Sequence, residues 1–251
     1  MRDFLLKDLF QRFFIIHKCG GCREILKYEE RDEALCQSCA LSFRVAKTES
    51  CPICQQSVFE CSCMPRGLER AGALSLRKLY FYRAEKNGAS QNKLLLNLKR
   101  EPNRRVAKFV AQQIFDLIKN ELSKLDIPFE NVVLVSVPRG RRARRIHGFD
   151  QSEFVCGQIS LISSIPYFSI IKRTRQGREQ KKLDRNKRFR NVRSLFDLRD
   201  ADAVRGKYVV LYDDVVTTGA SMAACAELLR MAGALGVFCT SMAQVPQKSV
   251  K

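Results

Sequence analysis

The spacing of the cysteines constrains the first quarter of this chain more than any other feature. Of the 11 cysteines, eight lie between residues 19 and 63, in four closely spaced pairs. Two successive pairs supply four thiolates, the ligand set of a tetrahedral structural zinc site. Because four thiolates leave no open coordination position, we assign such metals to folding rather than to catalysis.

The two sets of cysteines differ in regularity. The first set forms two Cys-x2-Cys knuckles and consists of Cys19, Cys22, Cys36 and Cys39. The second set is shorter, closes with Cys-x-Cys, and consists of Cys51, Cys54, Cys61 and Cys63. The sequence therefore predicts one structural Zn2+ in a zinc ribbon and makes a second plausible. Glycines 20 and 21 suit a knuckle because glycine tolerates positive φ, and His17 is an alternative ligand that is more simply a bystander.

The N-terminal segment bears on the redox state of these thiols. Charged residues interrupt its apolar stretches before any of signal-peptide or membrane-spanning length develops. We therefore expect a cytoplasmic protein with reduced cysteines and no membrane insertion. Apolar residues between Leu5 and Ile16 recur at helical spacing, which predicts a short amphipathic helix docked on the rest of the protein. A redox function does not fit four pairs that lack a strand-to-helix context.

Downstream of Met64, strands and helices are predicted to alternate. We place a boundary there, with an N-terminal helix and a single or double zinc ribbon in 1–66 and an α/β domain in 67–251. The predicted strands are 79–82, 132–137, 168–171, 208–212 and 235–241, and the predicted helices are 90–99, 105–125, 151–161 and 220–231. This alternation is typical of a parallel sheet flanked by helices. Residues 173–193 are almost all polar and basic, which predicts a long mobile loop.

A candidate phosphate site follows one buried strand. Asp213 and Asp214 stand at its carboxyl end, where open α/β sheets bind ligands, and a small-residue loop then leads into a helix. Amides and hydroxyls of this loop can wrap a phosphate; its residues are Thr217, Thr218, Gly219, Ala220 and Ser221. Two carboxylates would repel an isolated phosphate. A ribose phosphate instead offers hydroxyl donors, and Mg2+ on a pyrophosphate relieves the remaining charge.

The stretch from Val209 to Ser221 closely resembles the phosphoribosyl-pyrophosphate (PRPP) motif of type I phosphoribosyltransferases. Nearly the whole chain is similar to the ComF (ComFC, GntX-like) family. This resemblance also rests on the cysteine segment, on Pro138-Arg139, on Arg145 to Ser152, and on the pattern from Arg173 to Phe196. Family members usually have Asn where Asp150 stands and Cys-x2-Cys where this chain has Cys61-x-Cys63.

The resemblance implies a type I phosphoribosyltransferase-like sheet with an N-terminal zinc ribbon. It also implies PRPP and Mg2+ bound at the Asp213 site, with Pro138 and Arg139 in the pyrophosphate loop. A flexible loop and further basic contacts would be supplied by Arg145, Arg173, Arg175, Lys181, Lys182 and Arg188. For the loop, a solvated basic segment or a nucleic-acid contact remains an equal alternative.

Three functions stay open from the sequence. The first is a phosphoribosyltransferase in which an unknown acceptor displaces pyrophosphate at C1 of the ribose; no catalytic base is identifiable. The second, implied by the resemblance, is a competence factor in DNA uptake, with single-stranded DNA and other competence proteins as partners. The third is a PRPP sensor without turnover. A net charge of +19 favours polyanions but does not choose among them.

Overall fold

Five strands form the central sheet of the protein. The computed structural model describes residues 16–84, 88–174 and 195–246, and of residues 141–143 the backbone only. The strands are β1 (Ser75–Phe81), β2 (Val132–Ser136), β3 (Tyr167–Phe168), β6 (Tyr208–Val216) and β7 (Gly236–Gln244). They are all parallel, in the order β1-β7-β6-β2-β3. Every residue of β2 and of β7 is buried, as expected for apolar strands covered on both faces.

Seven α-helices in the described residues surround this sheet. They are α1 (Gln37–Lys47), α2 (Arg66–Arg70), α3 (Ser90–Arg100), α4 (Arg104–Ser123), α5 (Arg141–His147), α6 (Gln151–Ser163) and α7 (Ala220–Met231). Helices α1, α3, α4 and α6 contribute to one buried cluster, and α2 and α7 contribute to a second. The predicted α/β class, a parallel sheet flanked by helices with an N-terminal cysteine unit, is confirmed. Within the described ranges, none of the helices has the length and apolarity to cross a membrane.

The first cysteine set is docked directly on helices α3 and α4. A Cβ atom at Gly20 would lie 2.6 Å from Cγ2 of Val106 and 2.9 Å from Cδ1 of Leu94. The side-chain amide of Asn97 donates to the carbonyl oxygens of Gly20 and Gly21, at 2.8 and 3.0 Å. Neither glycine is among the described residues with positive φ. The expected reason for these glycines is therefore wrong: Gly20 is required by its close approach to α3 and α4, and a Cβ atom at Gly21 would lie 2.9 Å from Sγ of Cys39.

Most predicted elements match observed ones, although several strand ends differ and two segments depart from the predicted structure. The apolar run 168–171 is not one strand: β3 pairs with β2, and β4 (Ile171–Arg173) pairs antiparallel with β5 (Phe196–Leu198) in a separate two-stranded sheet. Arg173 thus belongs to a strand rather than to a loop. The arginine-rich turn after Pro138 contains helix α5. The predicted amphipathic helix, except Ile16 at its end, and residues 175–193 of the basic loop lie outside the described residues.

Candidate functional site

The two acidic residues lie within strand β6 rather than after it. The strand continues past the predicted end at Tyr212 to Val216, because β7 pairs with it along that whole length. Asp213 is in register with Ser241 of β7. The carboxylates therefore sit on paired strand backbone, three and four positions before Thr217, where the loop that leads into helix α7 begins.

Asp214 is held by three protein donors. Its Oδ2 atom lies 2.8 Å from Nζ of Lys99 and also accepts a hydrogen bond from Nε2 of Gln151. Its Oδ1 atom accepts from the backbone N–H of Val215 at 2.7 Å. Lys99 lies in the last turn of α3, and Gln151 is the first residue of α6. These contacts bring two helices together over the end of β6.

Asp213 is in a different electrostatic environment. Its Oδ1 atom accepts from the N–H of Asp214 at 2.9 Å. Desolvation raises the pKa of Asp213 well above its ordinary value, the neighbouring carboxylate of Asp214 raises it further, and the ammonium of Lys99 opposes both. Asp213 is consequently the carboxyl group in this pair that gains most from an added hydroxyl donor or cation.

The loop after β6 is shaped by one glycine. Gly219 has a φ of 74°, and a Cβ atom there would lie 2.9 Å from Cγ of Pro65, so both conformation and space demand glycine. The hydroxyl of Thr218 accepts from the N–H of Ala220 at 3.4 Å. Thr217 and Thr218 are exposed at the start of α7. This is the arrangement in which a helix N-terminus can accept an anion.

Asp150 joins the second predicted loop to the same region. Its Oδ2 atom accepts from the N–H of Arg139 at 2.7 Å, while Oδ1 caps α6 by accepting from Ser152 and Glu153. Asp150 is 3% exposed, and this burial raises its pKa although the amide donors oppose the shift. The guanidinium of Arg139 donates to the carbonyl oxygen of Lys99 at 3.3 Å. Pro138 and Arg139 thus lie beside the residues that hold Asp214.

The remaining predicted basic residues are dispersed. Arg145 is exposed on α5, and the guanidinium carbon of Arg173 lies 5.4 Å from the ring centroid of Phe196. The others lie outside the described residues: Arg175, Lys181, Lys182 and Arg188. Their part in a ligand-covering loop stays a prediction.

Both cysteine sets converge as predicted. In each set the four Sγ atoms lie within 4.8 Å of one another, so each could hold a metal ion. His17 belongs to neither group, and its Nδ1 atom lies against the carbonyl oxygen of Arg31. The sulfur of Cys19 accepts from the amides of Gly21 and Cys36, at 3.4 and 3.3 Å. These contacts fix the position of the Cys19 sulfur within the first set.

One thiol in each cluster has a lowered pKa. Burial acts to raise the pKa of Cys36, but hydrogen bonds, chiefly from Ser38 and from the backbone at Cys39, lower it to about 7. Burial likewise opposes the shift at Cys51, where hydrogen bonds from the backbone at Cys54 and Ile53 lower the pKa to about 7. Each cluster therefore presents one sulfur that is readily ionised for a metal.

The second cluster rests on a buried lysine that the sequence did not indicate. Lys78 of β1 is 0% exposed. Its Nζ atom donates to Sγ of Cys61 at 3.0 Å and to the carbonyl oxygens of Cys61 and Cys63, both at 3.1 Å. The ammonium group therefore links the second cysteine set to the edge of the central sheet.

Comparisons with known proteins give partial matches. No family model matches the chain. The DNA utilization protein YhgH of Escherichia coli K12 is 37% identical over 105 residues, which cover 41% of this chain and 45% of that protein. YhgH of Salmonella typhimurium is 32% identical over 133 residues, covering 53% of this chain and 56% of that one. The chain thus spans about half the length of these curated relatives.

One solved structure is also similar in part. It is the allosteric regulatory enzyme of purine biosynthesis, which matches with 23% identity and a TM-score of 0.37. The match covers 58% of this chain and 26% of that chain.

Proposed function

We propose that the protein binds PRPP with Mg2+ at the end of β6, as a phosphoribosyltransferase-like factor of the ComF type that acts in DNA uptake. The observation that carries this proposal is the position of Asp213 and Asp214 beside a hydroxyl-bearing helix N-terminus. An anion bound at Thr217 and Thr218 would face two carboxylates, so it must bring its own donors or a cation.

A ribose phosphate meets that demand. Its 5-phosphate would occupy the loop from Thr217 to Ser221, and its ring hydroxyls would donate to Asp213 and Asp214. Mg2+ would arrive on the pyrophosphate and supply charge neutralisation there, a setting that suits an ion with a preference for oxygen ligands. Arg139 would contact the pyrophosphate through a guanidinium fork that matches phosphate oxygens.

Calorimetry with Mg-PRPP tests the binding claim. We expect heat of binding with the wild type and its loss in the Asp213→Asn, Asp214→Asn variant. A matched control is Asp197→Asn with Asp202→Asn, which neutralises two exposed carboxylates elsewhere and should bind normally. Equal binding by the acidic-pair variant, or no binding by the wild type, contradicts the proposal.

The part in DNA uptake is supported by the names of the curated relatives and by the net charge of +19. We expect single-stranded DNA to bind with an affinity that falls steeply as salt rises. Neutralising Lys181, Lys182, Arg185 and Arg188 should weaken binding and flatten the salt slope, measured by fluorescence anisotropy. An unchanged affinity would remove the basic segment from the proposal.

Turnover is tested separately from binding. Release of pyrophosphate from Mg-PRPP, stimulated by a nucleobase or by single-stranded DNA, supports a transferase. Binding of PRPP without any release supports a sensor instead. Catalysis here would depend on positioning and on stabilisation of the leaving group, since the described residues offer no evident general base.

Structural zinc is the metal that we propose for both cysteine sets. Four sulfurs within 4.8 Å, amide donors to the sulfurs, and one readily ionised thiol in each set all fit Zn2+. Metal analysis of the purified protein should then give two zinc ions per chain. A content of one would restrict the proposal to the first, regular set.

A further inference from the structure

Lys99 forms an ion pair at the centre of the candidate site. Its Nζ atom lies 2.8 Å from Oδ2 of Asp214, and the two side chains are 30% and 14% exposed. Both groups are thus mostly shielded from water, but the lysine stem keeps a path to solvent. A lysine on a flexible four-carbon stem can exchange partners without a change in the backbone.

A count of donors shows that Oδ2 of Asp214 is already saturated. A carboxylate oxygen accepts about two hydrogen bonds, and Lys99 and Gln151 supply both. Val215 occupies one position on Oδ1. A ligand hydroxyl that donates to Oδ2 must therefore displace a resident donor. The ammonium of Lys99 is the more mobile of the two, because Gln151 is only 3% exposed.

Gln151 marks where a ligand donor belongs. Its Nε2 atom is used by Asp214, whereas its Oε1 atom is buried with no hydrogen-bond partner among the described residues. A buried acceptor without a donor is costly. A ring hydroxyl that donates to Oε1 of Gln151 would satisfy it, and the neighbouring ring hydroxyl could then donate to Asp214.

The surroundings of Lys99 show where its ammonium would go. The guanidinium of Arg139 donates to the carbonyl oxygen of Lys99 at 3.3 Å, so the end of α3 borders the loop that contains Arg139. That loop is the side of the site at which the diphosphate of PRPP would lie. An ammonium released from Asp214 would meet phosphate oxygens there.

We propose that Lys99 is the resident counter-ion of Asp214, and that a ribose ligand displaces it onto the ligand's own diphosphate while Gln151 and Asp214 each accept a hydrogen bond from one of two ring hydroxyls. This inference rests on the proposed function. It adds two residues to the proposed site of the acidic pair and the loop: Lys99 would bind the ligand, and Gln151 would position a ring hydroxyl.

Calorimetry with two ligands tests the displacement. Lys99→Met should weaken Mg-PRPP binding about tenfold or more, because a charge-assisted contact to phosphate is lost. Ribose 5-phosphate lacks the diphosphate, so it has no contact with the Lys99 ammonium to lose. In the same variant no ammonium competes with its hydroxyls for Asp214, and its affinity should change by less than about threefold. Lys99→Arg should recover most of the PRPP affinity. Lys93→Met, on an exposed position of the same helix, is the control and should leave both ligands unaffected.

The outcomes separate the two proposals. An equal loss for both ligands would mean that Lys99 only holds Asp214 in place, and no loss for either would mean that it has no role; each overturns the displacement. Lys99→Gln provides the same comparison if the methionine variant does not fold. A wild-type protein that binds neither ligand removes the proposed function itself. Wild-type binding that Lys99 variants do not distinguish removes only this inference.

Discussion

Replacing Lys78 by methionine is the sharpest test of how the second cysteine set is stabilised. Methionine keeps most of the apolar stem and removes an ammonium that is 0% exposed. Two carbonyl oxygens and the sulfur of Cys61 then lose donors at 3.0 to 3.1 Å. An unsatisfied buried acceptor costs about 1–3 kcal/mol, so the buried carbonyl of Cys61 alone predicts a loss of about 1–3 kcal/mol in the free energy of unfolding, and the part-buried carbonyl of Cys63 adds to it.

The metal affinity of the second set should fall as well. Four thiolates around Zn2+ carry a net charge of −2, which the ammonium of Lys78 partly offsets. Loss of an outer-shell partner typically lowers metal affinity about 10–100-fold. The first set has no contact with Lys78 among those described for it, so it serves as an internal control within the same molecule.

Transfer of zinc to a chromophoric chelator measures both effects. The wild type should release two ions slowly, and Lys78→Met should accelerate the release of one ion while the other keeps its rate. Lys108→Met, on an exposed position of α4, controls for the loss of a positive charge. Unchanged release, or equal acceleration of both ions, would refute the stabilising role of Lys78.

Three further predictions follow from the site. Asp213→Asn should raise the melting temperature of the ligand-free protein by a few degrees at pH 7. The folded pKa of Asp213 is raised, so wild-type stability falls as pH rises from about 4 through that pKa, and the variant should lack this slope in melts between pH 4 and 8. Asp150→Ala should lower the free energy of unfolding in urea by about 2–4 kcal/mol, because a helix cap is lost and the N–H of Arg139 is left unpaired. Asp150→Asn keeps the cap and should cost less. Equal costs for the two variants would contradict this account. Gly219→Ala should cost about 1–3 kcal/mol and weaken PRPP binding because of its φ of 74°, while Gly157→Ala, where a Cβ meets nothing within 4 Å, should stabilise helix α6 by about 1 kcal/mol.

Elements with strong local signals were predictable from the sequence. The helix 220–231 has its predicted bounds, because a glycine-containing loop fixes its start and apolar spacing fixes its extent. Strand β2 follows from a short run of β-branched apolar residues. The convergence of each cysteine set was also predictable, since the spacing of the knuckles leaves few other arrangements.

Features that depend on pairing between distant segments were not predictable. The run 168–171 carries no local sign that its two ends belong to different sheets, because only the partners β2 and β5 decide that. The extension of β6 to Val216 likewise depends on the length of β7. In both cases a tertiary partner determines the strand, not the propensity of its residues.

In the candidate site, too, residues with a local sequence signal were predictable and residues defined by tertiary contacts were not. The motif indicated Asp213, Asp214 and the loop as candidates, and the family resemblance implied that Arg139 would lie at the same site. Lys99 and Lys78 had no local signal, since a lysine in a helix or a strand usually faces water. Their roles become visible only when the thiol, carbonyl and carboxylate acceptors that surround them are known.

The contact between Pro65 and Gly219 makes the candidate ligand site dependent on metal bound by the cysteines. Pro65 lies two residues after Cys63 and packs against the loop beside Asp213, while the first cysteine set shares its buried cluster with α3 and α4. If the cysteines lost their metal and the segment unfolded, the loop that follows β6 would therefore lose its contact with Pro65 and be destabilised. We expect a cell starved of zinc to lose the ligand site together with the ribbon, so that the abundance of this protein would follow the zinc status of the cell.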